Sequence, residues 1–156
     1  MGYVRMAIIR VYADTSVFGG VFDEGFEAPS QAFFDQVRNG RFHLVTSALV
    51  QEEIKPAPKY VQEFFDRTLP VVEVVEVSEE TLRLRDAYLE AGIVSSQWSE
   101  DALHVALATV SGCSLIVIWN FKHIVHFEKI PLYNAVNVLK GHSNVGIFSP
   151  LEVIQI

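Results

Sequence analysis

Four stretches of the chain place oxygen-bearing side chains where they could do chemistry. Asp14 ends an apolar run in "RVYADTSVFGG", with Thr15 and Ser16 directly behind it. Glu52 and Glu53 follow the apolar "RFHLV" by about one helical turn, in "TSALVQEEI". Asp101 opens "SEDALHVALA", and Asn120 immediately follows "SLIVIW". Carboxylate and carbonyl oxygens suit the hard cations Mg²⁺ and Mn²⁺, which take few protein ligands and keep several waters. One or two such ions serve in-line displacement at phosphorus by neutralising the charge that develops there. Each residue also has a plainer role. Asp14 with its hydroxyl neighbours is a good N-cap, and Glu52 and Glu53 are ordinary solvated helix charges. Asp101 is favoured near a helix start by the macrodipole, and Asn120 is a common turn residue. The elements that carry these residues decide between the two readings.

Three near-continuous apolar runs, "MAIIRVYA", "RFHLV" and "SLIVIW", read as strands buried on both faces. "VVEVVEV" at 71–77 carries Glu73 and Glu76 and reads as a more exposed strand, and "NVGIFSP" at 144–150 as a short edge strand stopped by Pro150. Helical spacing of apolar residues falls between them, over 29–39, 57–67, 79–91 and 99–111. A further helix is expected from Pro131, a good first-turn residue, towards Gly141, a good terminator. Tyr60, Val61, Phe64 and Phe65 form an aromatic stripe expected to lie in the core. Strands alternating with helices imply an α/β fold: a mostly parallel sheet covered on both faces, a three-layer α/β/α sandwich. In such a sheet the strand ends before Asp14, Glu52/Glu53 and Asn120 share one edge. Helix 99–111 leads into its strand, so Asp101 can reach that edge too. Open α/β sheets place their chemistry there.

The bulk numbers agree with a globular chain. The 156 residues are expected to form one domain, 1–156, with 50% hydrophobic and 20% charged residues. No apolar stretch approaches the ~18 residues of a membrane span, and the first residues lack the apolar run of a secretory leader. The single cysteine, Cys113, has no internal disulfide partner and reads as a small buried hydrophobe. These features point to a cytoplasmic protein. The net charge of −7 argues against a general electrostatic grip on nucleic acid. The acids are concentrated in residues 1–110, while 111–156 are mildly basic.

Taken together, "YADTSV", "VTSALVQEEI", "SEDALHVALA" and "LIVIWNFKHI" resemble the PIN-domain ribonucleases, in particular the VapC-like toxins of toxin–antitoxin pairs. The likeness runs from about residue 8 to 153, and "WNFKHI", "YNAVNVLKGH" and "FSPLEVI" place it in one branch of that family. It implies a PIN-like sandwich and Mg²⁺- or Mn²⁺-dependent endoribonuclease activity on RNA, with a cognate antitoxin as partner and frequent homodimers. Carried over by position, Asp14, Glu53 and Asp101 are the expected metal ligands. Glu53 is preferred over Glu52 because the family acid stands six residues after the serine and before an aliphatic residue. Asn120 takes the position where many members carry a fourth acid, which removes charge from any second metal site. Thr15 and Ser16 would orient ligands or bound water.

Lys122 and His123 lie just past Asn120 and could contact phosphate or form an exposed polar turn. His123 and His126, in "HIVH", have no cysteine or histidine group to complete a zinc site. His104, one turn after Asp101, reads as a packed or hydrogen-bonded helix residue rather than a general base. Asn134 and Asn137 could line the cleft, and Phe18, Phe22 and Phe26 could form an aromatic patch for association. A rival function is a degenerate domain that binds RNA or protein without cutting, which Asn120 and the acidic surface favour. A receiver-type phosphotransfer domain is disfavoured, because "RFHLVTS" offers no phosphoacceptor Asp.

Overall fold

The computed structural model describes residues 8–119 and 128–156. Asn120, Lys122, His123 and His126 lie outside the described residues, as does the start of the first apolar run. Among the described residues, five strands form one sheet: β1 (Ile9–Ala13), β2 (Phe42–Ser47), β3 (Val72–Val75), β4 (Leu115–Val117) and β5 (Gly146–Phe148). Their order is β3-β2-β1-β4-β5, and every neighbouring pair is parallel. Ile9 stands opposite Phe42 and Val11 opposite Leu115, so β1 is flanked on both sides. That position explains its unbroken apolar sequence: Val11, Tyr12 and Ala13 are fully buried.

Among the described residues, eight α-helices accompany the strands: α1 (Thr15–Gly20), α2 (Glu27–Arg38), α3 (Ala48–Ile54), α4 (Lys59–Thr68), α5 (Glu79–Glu90), α6 (Ser99–Val110), α7 (Lys129–Leu139) and α8 (Pro150–Val153). Helices α1, α2, α4 and α8 pack together in one layer, and α5, α6 and α7 in another. The first layer is cemented by aromatics, with Phe18, Phe33, Phe34, Phe64 and Phe65 buried in mutual contact. Phe18 therefore belongs to the core and not to a surface patch. Phe22 and Phe26 stay partly exposed, and each already has a partner, Tyr60 for Phe22 and Trp119 for Phe26. Tyr60, expected in the core, is 54% exposed because its ring packs on Phe22 at the rim.

Asn134 and Asn137 have structural work rather than a place in a cleft. Asn137 is fully buried and accepts a hydrogen bond from the Tyr88 hydroxyl. Asn134 bonds both the N–H and the C=O of Val145, fastening α7 to the approach of β5. Cys113 is buried and unpaired with another cysteine. No described helix is long and apolar enough to cross a membrane.

The strand order has one consequence for function. Going out from β1, the chain lays β2 and β3 on one side, then β4 and β5 on the other. The carboxyl ends of β1 and β4 thus border the point where the winding reverses, and in open α/β sheets a crevice forms there.

Candidate active site at the carboxyl edge of the sheet

Asp14 is the first residue after β1, and it serves there as a helix cap. Its carboxylate caps α1, accepting the Ser16 N–H at 3.1 Å and the Ser16 hydroxyl at 2.5 Å. It also stands at the reversal point, where its own N–H reaches the Val117 carbonyl of β4. Only 6% of its surface is exposed. Burial pushes its carboxyl up to about 6, and the nearby Glu53 charge adds to this. The charge of His104 and the Ser16 bonds oppose the rise.

Glu53 comes from α3, whose start is fixed by Ser47, the last residue of β2: its hydroxyl accepts the Val50 N–H. Oε1 of Glu53 accepts two bonds, from Thr15 Oγ1 at 2.7 Å and from His104 Nε2 at 2.7 Å. Burial raises this carboxyl, but the bond and charge of His104 and the bond from Thr15 outweigh it and hold it below its ordinary value. Glu52 points elsewhere and pairs with Lys55 on the surface at 2.7 Å.

Asp101 lies in the first turn of α6 beside Glu100. Both line a cavity of about 340 Å³ with Gln97, Trp98 and Ser99. Its charge acts on His104 one turn along and on the buried Tyr133 hydroxyl. His104 itself is 2% exposed. Burial lowers its imidazole, but the bond to Glu53 and the charges of Asp14, Glu53 and Asp101 raise it above the ordinary value overall. Three acids from separate parts of the chain thus act on one buried ring.

The end of β4 is tied down as well. The Trp119 N–H donates to Ser16 Oγ at 2.9 Å, and its indole N–H to Ser30 Oγ at 2.8 Å. Gly20 makes room for that indole, since a Cβ there would lie 2.7 Å from Nε1. The residue before Asn120 is therefore fastened to the helix that Asp14 caps.

Among the described residues, no three acids, histidines or cysteines form a ready-made metal cage. The donor chemistry nevertheless suits a hard cation. Asp14 is a buried carboxylate beside a second carboxylate, and among the described residues neither it nor Glu53 pairs with a lysine or arginine. Like charges held this way are relieved by a proton or a cation. Mg²⁺ usually takes one or two carboxylates and retains water for the rest.

Sequence reasoning passed over Tyr12, Ser47 and Glu100, and it gave His104 no part in the site. A signal existed: Tyr12 precedes Asp14 by two residues along a strand, and His104 follows Asp101 by one helical turn. Both spacings put the residue on its acid's side.

No family model matches the sequence, and no curated protein matches it. A solved structure does match: a chain of VapBC2 from Rickettsia felis bound to a DNA fragment from their promoter. The TM-score is 0.58 over 90% of this chain and 98% of that chain, at 16% sequence identity. The fold is PIN-like. At that identity the likeness concerns architecture alone.

Proposed function

We propose that this protein is a metal-dependent endoribonuclease that cleaves RNA phosphodiester bonds, acting as the toxin of a toxin–antitoxin pair. The observation that carries the reading is the buried Asp14 carboxylate at the winding reversal, beside Glu53 and with no lysine or arginine partner among the described residues. Asp14, Glu53 and Asp101 would hold Mg²⁺ or Mn²⁺. Bound there, the ion would supply Lewis-acid stabilisation of charge developing on the phosphoryl oxygens. The chain's own part is positioning. Ser16 orients Asp14, and Thr15 and His104 orient Glu53. Asn120 would add a neutral oxygen at the same edge, and Lys122 and His123 would meet the substrate phosphates. The acidic body is compatible with this, because the ion and the basic C-terminal third receive the polyanion.

The fold match to a VapBC2 chain supports an antitoxin as protein partner, and association of two copies and a cytoplasmic location complete the reading. The decisive experiment incubates the purified protein with RNA in Mn²⁺, Mg²⁺ or EDTA. Cleavage is expected only with the divalent ion, and is expected to fall by about 10³-fold in Asp14→Asn and Asp101→Asn with the fold intact. Undiminished cleavage by either variant overturns the site.

Asn120 favours a second reading, a binding module that has lost catalysis. Calorimetric titration with Mn²⁺ separates them: absence of any divalent binding supports the module.

A further inference from the structure

Beneath the acids lies a chain of buried polar groups for which the metal site alone gives no reason. Ser47 Oγ lies 2.8 Å from the Tyr12 hydroxyl, which lies 2.8 Å from His104 Nδ1. On the other side of the ring, Nε2 meets Glu53 Oε1 at 2.7 Å. Tyr12 and Ser47 are fully buried and His104 nearly so. A strand tyrosine, a strand-end serine and a helix histidine in such a core would ordinarily be apolar, since buried polar groups cost free energy unless bonded.

The donor directions follow from the acceptors. Glu53 as a carboxylate only accepts, so Nε2 carries a hydrogen. With a neutral ring, Nδ1 accepts from the Tyr12 hydroxyl and Tyr12 accepts from Ser47; with a charged ring, Nδ1 donates to Tyr12 and Tyr12 donates to Ser47. Ser47 in turn accepts the Val50 N–H at 3.2 Å. The chain begins on the N-cap of α3 and ends on Glu53, one residue before the end of the same helix. It thereby ties both ends of a seven-residue helix to β1 and α6, the elements leading to Asp14 and carrying Asp101.

Glu53 needs such a tie. A glutamate has three rotatable bonds, and α3 is too short to hold itself rigid. Thr15 supplies a second donor to the same Oε1 and leaves Oε2 untouched by either. We propose that His104, seated on the Tyr12 hydroxyl and through it on Ser47, is the positioning residue that fixes the Glu53 carboxylate. This rests on the reading of Glu53 as a metal ligand. The groups surrounding an ion's ligands commonly change its affinity 10–100-fold when removed.

Two replacements of one residue test it. His104→Gln keeps an N–H donor near the Nε2 position, whereas His104→Asn keeps only a group near Nδ1. Calorimetric titration with Mn²⁺ alone is expected to show about tenfold or greater loss of affinity in His104→Asn, with recovery to within about threefold in His104→Gln. Tyr12→Phe, which keeps the ring and removes only the hydroxyl, is expected to lose affinity several-fold. It carries the test if His104→Asn fails to fold by circular dichroism. Equal Mn²⁺ affinity of the folded His104→Asn protein and the wild type overturns the positioning role and leaves the site standing. So does equal loss in the Asn and Gln variants, which marks a merely structural histidine. No Mn²⁺ binding by the wild type overturns the site itself, and this inference with it.

Discussion

Each end of the parallel sheet carries a carboxylate–imidazole contact of nearly the same length, in opposite surroundings. At the carboxyl edge Glu53 meets His104 at 2.7 Å, and the histidine side chain is 3% exposed. At the amino edge Glu73 meets His43 at 2.9 Å, with both side chains more than 40% exposed. There Arg10 closes on Glu73 at 3.0 Å and also donates to the Ser111 carbonyl. The Arg10 and His43 bonds hold the Glu73 carboxyl below its ordinary value. A contact distance thus carries no functional meaning by itself. What distinguishes the buried pair is the Tyr12–Ser47 chain behind it and the anionic Asp14 beside it. The amino-edge pair has a cation and water, so exchanging its members costs little.

The sharpest way to break the contrast is at the acids. Asp14→Asn is expected to lower metal-dependent RNA cleavage by about 10³-fold, the several kcal/mol a metal ion contributes to charge stabilisation. Glu73→Gln, at the other edge, is expected to leave cleavage unchanged in the same assay. A comparable loss in both would show that the two ends are not functionally distinct.

Acidity offers the next largest contrast. Asp14 has a folded value of about 6 against 3.8 ordinarily, so the fold favours its protonated form. Its contribution to stability is therefore complete below about pH 4 and is lost as pH rises through 6, a loss of about 3 kcal/mol. The raised imidazole of His104 acts in the same sense at higher pH. Glu53, held low, acts oppositely below its ordinary 4.5. Thermal melts of the metal-free protein at pH 4.5, 5.5 and 7 are expected to show falling stability. Mn²⁺ should restore it at pH 7, and Asp14→Asn should flatten the trend.

Gly20→Ala tests the anchoring of Trp119. The new methyl would crowd the indole and Ser30 Oγ, at a cost of roughly 1–3 kcal/mol in denaturant unfolding. The smallest effect belongs to His43→Ala, expected to change stability by less than about 0.5 kcal/mol.

Much of this architecture was legible in the chain because burial on two faces leaves a simple mark. The runs ending at Ala13 and before Asn120 lacked alternation, and they are the central strand β1 and its neighbour β4. Helix α6 announced itself through Leu103, Ala106, Leu107 and Val110. Shorter pieces were harder. Helix α8 has four residues, too few for a period, although Ser149 and Glu152 form a capping box that could have flagged it. Tyr60 misled because its spacing was right while its helix lies at a rim. At the site, the acids stood out by type, and the structure sends Glu52 to the surface and Glu53 inward. Tyr12 and His104 stayed hidden, since a polar residue amid apolar neighbours looks like filler until the chain folds back on it.

The central placement of β1 bears on synthesis as well. Its β2 partner leaves the ribosome some thirty residues later, whereas β4 follows about a hundred residues behind it. Until then one flank of the strand offers unsatisfied amides and carbonyls that foreign strands could join. Asp14 likewise waits for α6, so a half-made polypeptide cannot assemble the acid cluster.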